Sequence, residues 1–490
     1  MRTTAILASL LTATIPTLPA HPAYEVEAVP FEKEIDSQVG GIDVLPDGRL
    51  VVCFHEGDVR LFDPKTKTWS TFASGLHEPL GILAESATSF VVMQRPELTR
   101  ISDTDGDGKG DSYETICDDF GLTGNYHEFN FGPVVDPDGN YVISLNVASN
   151  GAPVRDEIRG EWLELGLSRE DFKKPWGSVK RKAGRMYSRA PYRGWIMKVN
   201  PKTGKMTPWA SGLRSPNGLG FDKDGHLFVT DNQGDWRGTS PLYHVEKGKF
   251  YGHPASLPWT EGYEGPAPLE IPVPELEKLR TPAAVWFTQG SMANSPTEPV
   301  LIPAGFGPFA GQMLVGEMNR PRIVRVIHEE VNGIIQGACT PFLDNSGLDR
   351  GVNRLAFGPD HALWTGQTHL SWAGGSGMRK ITWKSGSTFQ EVKNISIRKS
   401  GFEVEFLQAV SADDLEKVTA RRYTFAYHSK YGSPQMEEAD VALEIEALDS
   451  DRKKFLLTAT EPLKKDFCYE FQFPMCENPL LCYTVREIPK

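Results

Sequence analysis

The sequence lacks two features that would each indicate a different class of protein. It has no excess of positive charge, since 52 Lys and Arg residues stand against 64 Asp and Glu, a formal net charge of −12. Nucleic acids and anionic membranes require a basic surface, so neither is expected as a partner. After residue 20 no apolar run approaches the roughly 18 residues of a membrane-spanning helix. A neutral small molecule is the partner that this composition favours.

Cysteine is also scarce, with six residues in a chain of 490. Their spacing matches neither the paired motifs of zinc sites nor the C-x-x-C-H motif of c-type haem. Cys468, Cys476 and Cys482 are near enough in sequence for one disulfide, and the connectivity stays open.

The N-terminus has the shape of a secretory signal peptide. A basic residue precedes an apolar run at residues 5–15, and small residues follow near Ala20. We therefore expect residues 1–20 to be removed, a mature chain that begins near His21 or Tyr24, and a secreted or periplasmic location.

Turn-forming residues are abundant, with 47 Gly and 36 Pro, and a weak hairpin repeat recurs along the chain. Apolar strands flank a proline- or aspartate-containing turn at residues 44–54, 135–145, 221–231 and 357–367. Related phrases, FASGLHEPLGI and WASGLRSPNGLGF, begin at Phe72 and Trp209. Repeats at such irregular spacing are typical of propeller blades with insertions. Residues 24–385 are predicted to form a β-propeller of about six blades, whose ring the N-terminal segment closes.

Two insertions and a change in composition near residue 387 complete the predicted architecture. Residues 150–193 and 251–280 interrupt the repeat, and each either walls a substrate funnel or decorates the surface. Beyond residue 387 glycine and proline become rarer, and apolar residues alternate with period two. Residues 388–490 are therefore predicted to form a small immunoglobulin-like β-sandwich, with a role in packing or carbohydrate adhesion. The expected fold class is all-β.

The segment at residues 103–114 has the spacing of a twelve-residue calcium loop. Carboxylates stand at positions 1, 3, 5, 9 and 12, with a glycine at position 6 and a backbone carbonyl at position 7. The predicted ligands are Asp103, Asp105, Asp107, Lys109, Asp111 and Glu114. Because the preceding residues look like a strand and no second copy of the loop exists, we expect a structural calcium clip and not a sensor.

His127 is the candidate catalytic base. It precedes a predicted inner strand of a blade, where propellers direct side chains into a central funnel, and histidine exchanges protons near neutral pH. The alternative is a structural histidine buried in the strand or paired with Glu128.

A second group of polar residues follows further along the chain. Arg214 lies in G-L-R-S-P-N-G-L-G-F and offers a permanent planar charge to carboxylate or quinone oxygens. Asn217, Asp231 and Asp235, with carbonyls of the Gly234 turn, are the right types of ligand for a second hard cation. The alternative is turn chemistry alone, since Ser-Pro-Asn-Gly is a favourable β-turn sequence.

These motifs occur in an order that resembles the soluble quinoprotein glucose/sorbosone dehydrogenases. The set comprises His127 ahead of F-G-P-x-x-D-P-D-G, then G-L-R-S-P-N-G-L-x-F, the N-Q-G turn and G-x-F-Y-G-H-P. The resemblance covers roughly residues 38–385. The calcium loop running into N-Y-H-E-F is also similar to secreted planctomycete-type dehydrogenases.

The resemblance implies a six-bladed propeller that holds pyrroloquinoline quinone and Ca²⁺ in its funnel. His127 would take the proton of a sugar hydroxyl while hydride moves to the quinone. Arg214 would contact the cofactor and stabilise the charge of its reduced form. Carbonyls of the turn at Gly234 and Asp235 would ligate the catalytic Ca²⁺.

The chain also departs from the family pattern. Ser215 stands where the family has asparagine, and Tyr126 stands where it has aspartate. The family's later lysine and paired arginines have only approximate counterparts. The remaining cofactor-binding candidates are therefore Asn217, Asn319, Arg320, Arg322 and Arg354.

The favoured function is a secreted quinone-dependent oxidoreductase that oxidises a sugar or related alcohol or aldehyde and passes electrons to an external acceptor such as a cytochrome. One alternative is a metal-dependent lactonase of the gluconolactonase type, which would use Asn217 and Asp231. Such enzymes generally also use a glutamate from the first blade, and residues 39–43 contain none. The other alternative is a non-catalytic propeller that binds glycans or protein.

Overall fold

The computed structural model describes residues 21–156, 158–165, 168–174, 184–369 and 373–490. The predicted signal peptide, residues 1–20, lies outside these ranges. Among the described residues, no helix has the length and apolarity needed to cross a membrane.

Strands dominate the first half of the chain. The N-terminal strand is β1 (Tyr24–Ala28). Blade one contains β2 (Val39–Val44), β3 (Leu50–Phe54), β4 (Val59–Asp63) and β5 (Thr68–Ala73). Blade two contains β6 (Ile82–Ala84), β7 (Ser89–Met93), β8 (Leu98–Ser102) and β9 (Ser112–Cys117). Blade three contains β10 (Asn130–Val135), β11 (Tyr141–Leu145), β14 (Trp195–Val199) and β15 (Met206–Ser211), with β12 (Ala148–Ser149), the helix α1 (Arg169–Lys173) and β13 (Met186–Tyr187) inserted between β11 and β14.

Three further blades follow. Blade four contains β16 (Gly218–Phe221), β17 (Leu227–Thr230), β18 (Ser240–His244) and β19 (Val285–Phe287), with two 3₁₀ helices (Pro254–Trp259 and Pro268–Glu270) and the helix α2 (Val273–Leu279) between the last two strands. Blade five contains β20 (Pro296–Leu301), β21 (Met313–Glu317), β22 (Arg322–Val331) and β23 (Ile334–Asp344). Blade six contains β24 (Val352–Phe357), β25 (Leu363–Gln367) and β26 (Gly377–Trp383), and β1 supplies its fourth strand.

The six blades close into a ring, which confirms the predicted propeller. The first strand of each blade contacts the first strands of its neighbours, and β2 of blade one contacts β24 of blade six. β1 pairs antiparallel with β26, with Tyr24 opposite Trp383, so both ends of the propeller chain share one blade. Strands such as β3, β11 and β25 are buried along their whole length. Their continuous apolar character reflects packing against a blade on each face.

The hairpin repeat read from the sequence marks the turn between the first two strands of four blades. In blade one Gly48 occupies the left-handed turn position with φ 88°. In blade six His361 adopts the same left-handed region with φ 61° where the other copies have glycine. Histidine is one of the non-glycine residues that tolerates this region, so the degenerate copy keeps the turn.

The C-terminal part forms two sheets. Its elements are β27 (Val392–Arg398), β28 (Gly401–Phe406), α3 (Ala412–Leu415), β29 (Thr419–Thr424), β30 (Met436–Asp440), β31 (Leu443–Ala447), β32 (Lys454–Ala459), β33 (Phe467–Gln472) and β34 (Leu480–Val485). The order β27-β28-β32-β31 makes one sheet, and β34-β33-β29-β30 makes the other. Apolar residues of both sheets form one buried cluster, as expected for a sandwich.

The second of these sheets continues blade five. β34 pairs antiparallel with β23, so the outer edge of the blade and the C-terminal strands form one eight-stranded sheet. Arg486, just beyond β34, packs its guanidinium 4.1 Å from the ring centre of Trp286 in blade four. The C-terminal part is therefore joined to two blades through paired strands and buried contacts. Its immunoglobulin-like character stays a prediction.

Candidate active site

Two adjoining cavities open where the loops between the inner strands meet, and His127 lines both. The inner cavity has a volume of about 80 Å³ and is lined by apolar and amide side chains. Its walls include Leu80, Phe129, Phe131, Asn217, Met318 and Asn353. The outer cavity, of about 370 Å³, is called the mouth here. Its walls include Arg185, Arg214, Asn232, Gln233, Asn319 and Tyr431.

His127 is held in one orientation by hydrogen bonds to both ring nitrogens. Its Nδ1 lies 2.8 Å from the carbonyl oxygen of Val147. A carbonyl oxygen only accepts, so Nδ1 carries the proton and Nε2 carries a lone pair. Nε2 lies 3.3 Å from the hydroxyl of Ser215, which can donate to it. This arrangement directs a proton acceptor into the cavities, as required of a general base.

The surroundings of His127 keep its ring neutral. Burial, followed by the positive charge of Arg214, lowers the pKa of His127 to about 4 from its ordinary value of 6.5. Glu128 is not its partner, because the Glu128 carboxylate accepts from the backbone amide and hydroxyl of Thr123 at 2.8 and 2.7 Å.

Arg214 is buried at the wall of the mouth and is fixed from two sides. Its Nε donates to Oδ1 of Asp235 at 3.1 Å, and its Nη1 donates to the Ser215 hydroxyl at 3.0 Å. Gly234 lies directly against it, since a Cβ built on Gly234 would come 2.1 Å from Nε of Arg214. Only glycine allows this approach. The structure therefore places Arg214 and the Gly234 turn, two separate site candidates from the sequence, in contact.

The two aspartates near Arg214 are both engaged in structural roles. Asp235 is buried and also lies 3.3 Å from Nε2 of His253. Burial opposes ionisation of Asp235, but the hydrogen bond to His253 and the charges of His253 and Arg214 hold its pKa well below the usual range. Asp231 accepts the backbone amides of Arg214 and Ser215 at 2.9 and 2.7 Å.

These contacts decide whether the turn fits the calcium ion that the resemblance implies. The carbonyl oxygen of Gly234 accepts the backbone amides of Gly432 at 2.9 Å and Arg237 at 3.1 Å. The carboxylate of Asp235 is shared by Arg214 and His253. Ca²⁺ requires six to eight oxygen ligands. The Gly234 carbonyl and the Asp235 carboxylate are therefore already hydrogen-bonded within the protein, and ligation of calcium by the Asp235 carbonyl stays a prediction.

The mouth instead has the charge expected of a site for an anion. Arg185 and Arg214 both line it, and none of its described lining residues is an aspartate or a glutamate. This is unusual in a chain with a formal net charge of −12. Amide side chains of Asn232, Gln233 and Asn319 supply further donors. A flat cofactor with several carboxylates, such as pyrroloquinoline quinone, fits this set of donors.

Asn217 and Arg354 lie together at the inner end of the funnel. Nη1 of Arg354 donates to Oδ1 of Asn217 at 3.0 Å. The same guanidinium donates to the carbonyl oxygens of Gly40 and Leu80, each at 2.8 Å. These carbonyls belong to blade one and the segment before blade two, so Arg354 ties inner segments of the ring together. Its donors are used by the protein.

The remaining predicted arginines are not among the lining residues of the mouth. Arg322 on β22 donates to the Met292 carbonyl at 2.7 Å and pairs with Asp344. Arg320 donates to the carbonyl of Gly290. Asn319, by contrast, lines the mouth. Of the later candidates, the structure therefore brings only Asn319 to the side of His127 and Arg214.

Three residues of the site were missed or undervalued in the sequence. Ser215 was noted only as a departure from the family, yet its hydroxyl lies between Arg214 and His127. Arg185 belongs to the insertion of blade three, whose ends do wall the funnel. Tyr431 comes from the loop between β29 and β30, more than 300 residues after His127. No local motif distinguishes Arg185 or Tyr431.

The predicted calcium loop joins β8 to β9 in blade two, away from the mouth. Oxygens of Asp103, Asp105 and Asp107 lie within 4.8 Å of one another. Asp111 accepts the backbone amide of Thr104 at 3.0 Å. The expected closing ligand Glu114 lies on β9 and pairs with Arg100 at 2.7 Å. Glu114 was predicted to close the loop as its last calcium ligand, but in the structure it pairs with Arg100 instead. The reason is that the strand β9 follows the loop, and the register of β8 and β9 sets Glu114 opposite Arg100.

The chain is similar to solved structures in its fold and, over part of its length, to one family model. Residues 169–367 match the family model of the glucose/sorbosone dehydrogenases. An oxidoreductase (glucose dehydrogenase) from Thermus thermophilus is 17% identical, with a TM-score of 0.50 over 74% of this chain and 100% of its own. A Trichoderma reesei protein of Carbohydrate-Active Enzymes family AA12 is 13% identical, with a TM-score of 0.52 over 77% of this chain and 100% of its own.

At such identities the two structures establish the fold alone. No curated protein shows a significant match to the chain. The family model begins in the insertion of blade three and ends at β25 of blade six, so it includes Arg214, the Gly234 turn and Arg354 but not His127. Over residues 169–367 the chain is therefore similar to the glucose/sorbosone dehydrogenases, the family that its motifs resemble.

Proposed function

We propose that the protein is a quinone-dependent oxidoreductase that oxidises a hydroxyl group of a sugar or related alcohol in the mouth beside His127. The observation that carries the proposal is the pairing of a neutral, oriented His127 with the buried cation Arg214 across the hydroxyl of Ser215. A base for a hydroxyl proton and a cation for a developing negative charge are the two groups that such a reaction requires.

His127 acts on the substrate hydroxyl. Nε2 accepts its proton, while Nδ1 keeps its hydrogen bond to the carbonyl of Val147, which fixes the ring and stabilises the imidazolium that forms. Substrate displaces the Ser215 hydroxyl as the donor to Nε2. Ser215 still accepts from Arg214 at 3.0 Å and stays at the edge of the site.

Arg214 and Arg185 would hold the carboxylates of pyrroloquinoline quinone, with Asn232, Gln233 and Asn319 as neutral donors. The bound quinone supplies a two-electron acceptor for the hydride that leaves the substrate carbon. An anion beside Arg214 also offsets the charge that lowers the pKa of His127, so cofactor binding would raise this pKa towards the range in which a base works well.

Calcium is assigned to a structural role in the same proposal. The carboxylates of Asp103, Asp105 and Asp107 would hold one ion on the hairpin of blade two, where it clips β8 to β9. The apolar N-terminal sequence supports export of the protein, and an external acceptor such as a cytochrome would then reoxidise the cofactor.

Reconstitution of the purified protein tests the proposal. Pyrroloquinoline quinone is added to the full chain, binding is followed by quinone absorbance, and turnover is followed with an artificial dye across a panel of sugars. We expect a saturable absorbance change and dye reduction with at least one sugar. Absence of quinone binding at micromolar concentration would refute the quinone-dependent function.

The variant His127→Ala separates binding from chemistry. It should bind the quinone as the wild type does and lose roughly 10²–10⁴-fold in kcat/KM, the usual contribution of a general base. His361→Asn, a change at a left-handed turn position of blade six outside both cavities that asparagine also tolerates, is the matched control and should retain turnover. Normal turnover by His127→Ala would remove His127 from the mechanism. Sugar binding without turnover in the wild type would favour the non-catalytic alternative.

A further inference from the structure

A loop of the C-terminal part is seated on the turn beside Arg214. The loop, residues 425–435, connects β29 to β30. Its backbone amide at Gly432 donates to the carbonyl of Gly234 at 2.9 Å, and the amide of Ser433 donates to the carbonyl of Gly238 at 2.9 Å. In the opposite direction, the amide of Trp236 donates to the carbonyl of His428 at 3.0 Å. The loop and the turn therefore behave as one unit.

Side chains strengthen this attachment. The hydroxyl of Tyr427 donates to the carbonyl of Gly252 at 2.5 Å, and its ring packs 5.3 Å from that of Trp236. Tyr431 forms an isolated bridge with Asp235, the ion-pair partner of Arg214. The position of Tyr431 is thus set by backbone contacts on both sides of it.

Tyr431 itself contacts the two cations of the mouth. The guanidinium carbon of Arg185 lies 4.5 Å from its ring centre, and that of Arg214 lies 5.7 Å away. Both separations are within the reach of a cation–π interaction. Tyr431 remains 52% exposed, so the ring is a wall of the mouth and not part of a core.

We propose that Tyr431 is a positioning residue that the C-terminal part contributes to the cofactor site. By holding Arg185 and Arg214 against one ring, it fixes the spacing of the two positive charges that receive a flat, carboxylate-bearing ligand. The identity of that ligand as pyrroloquinoline quinone rests on the proposed function. Its negative charge is inferred from the two arginines alone. It gives residues 388–490 a role in the site, where the sequence predicted only packing or adhesion.

The two arginines of the mouth differ in how firmly they are held. Arg185 is exposed, whereas Arg214 is buried and paired with Asp235. An exposed arginine loses side-chain freedom when it binds a carboxylate, and this loss weakens binding. Stacking on Tyr431 removes part of that freedom beforehand, so the pair is preorganised.

The test uses two probes on the full chain. Pyrroloquinoline quinone is the expected ligand, and benzene-1,3,5-tricarboxylate carries similar charge on a flat ring without redox chemistry. Titration calorimetry measures Kd for each. Tyr431→Ala should weaken both probes by about fivefold, the scale of partly exposed cation–π contacts. Tyr431→Phe keeps the aromatic face and should bind as the wild type does.

The matched control is Tyr113→Ala, which removes a tyrosine of similar exposure, 49%, from β9 of blade two. It should leave both affinities unchanged. Thermal unfolding of each variant checks that the fold is retained, which is expected because Tyr431 is exposed.

A double-mutant cycle shows whether Tyr431 acts through Arg185. Arg185→Gln alone should weaken tricarboxylate binding, and Tyr431→Ala should add less in that background than in the wild type. A purely structural role of Tyr431 would give additive losses, and this result would overturn the proposal. Unchanged affinity in Tyr431→Ala, or no tricarboxylate binding by the wild type, would overturn it too. Binding of the tricarboxylate without binding of the quinone would instead refute the proposed function alone.

Discussion

The guanidinium of Arg214 and the ring of His127 contact the same hydroxyl, that of Ser215, at 3.0 and 3.3 Å. The cation is thus close enough to disfavour protonation of the histidine. Burial is the larger cause of the lowered pKa of His127, and the charge of Arg214 is the second. In the proposed reaction Arg214 would therefore both stabilise the developing negative charge and help to keep the base unprotonated.

The variant Arg214→Gln should raise the pKa of His127 from about 4 towards its ordinary value of 6.5, because the second cause of the shift is removed. NMR titration of the histidine ring signals measures this, with His127→Ala to assign the resonance. Protonated Nε2 accepts no proton, so any residual turnover of Arg214→Gln should begin to fall at a higher pH than that of the wild type when the solution is acidified. An unchanged pKa in Arg214→Gln would contradict the assigned cause.

The same shift predicts how stability depends on pH. The folded pKa of His127 lies below the unfolded value, so the unfolded chain binds more protons between about pH 6.5 and pH 4. The contribution of His127 to stability is present above pH 6.5 and is lost as the pH falls through this window. Urea unfolding at several pH values should show a smaller slope in His127→Ala than in the wild type. Equal slopes would place the titrating groups elsewhere.

The ion pair of Arg214 and Asp235 predicts a large effect on stability. Both side chains are at most 7% exposed, and Asp235→Asn leaves the arginine without its compensating charge. We expect a loss of about 3 kcal/mol in the free energy of unfolding, the scale for breaking a buried pair. Denaturant unfolding measures it. Asp224→Asn, which alters an exposed pair with Lys223 on the surface, is the control and should cost little.

The fold was predictable because its signals are local. Each hairpin repeat contains its own turn, and the left-handed residue of that turn is glycine at Gly48 and histidine at His361. His127 and Arg214 were predictable for a related reason, since both directly precede inner strands whose ends face the funnel. Sequence position relative to a strand was enough to place them.

The rest of the site depends on contacts between distant segments. Tyr431 reaches Arg214 only because β34 pairs with β23 and carries the C-terminal part beside blade four. Arg322, a candidate from the sequence, lies opposite Asp344 because of the register of β22 and β23. Such long-range registers have no signature in a single sequence.

The loop of blade two predicts a dependence of stability on calcium. Chelation should lower the Tm of the wild type, because the carboxylates of Asp103, Asp105 and Asp107 repel one another without a cation. Asp103→Ala should have a low Tm that no longer responds to chelation. Scanning calorimetry with and without chelator measures this. Asp224→Ala, in the group of Asp222, Asp224 and His226, is the control, and loss of the response there would move the ion to that group.

Cys482 lies between two other buried thiols. Its side chain contacts those of both Cys339 and Cys468, and all three are buried. Cys339 and Cys482 are direct cross-strand partners of β23 and β34. Directly opposed residues in an antiparallel pair have Cα atoms roughly 4.5–5.5 Å apart, within the range of a disulfide. Cys476 lies apart, in the C-terminal core.

When the chain refolds with glutathione disulfide as oxidant, we expect a Cys339–Cys482 bond, with two protons and two electrons passing to the oxidant to form two glutathione molecules. The bond would join blade five covalently to the C-terminal part and add about 2–4 kcal/mol to stability. Peptide mapping under non-reducing conditions identifies the pair. Cys482→Ser should abolish it and Cys476→Ser should not. A Cys468–Cys482 bond instead would show that the neighbouring strands β33 and β34 are crosslinked, and the C-terminal part would then be held to the propeller by hydrogen bonds and packing alone.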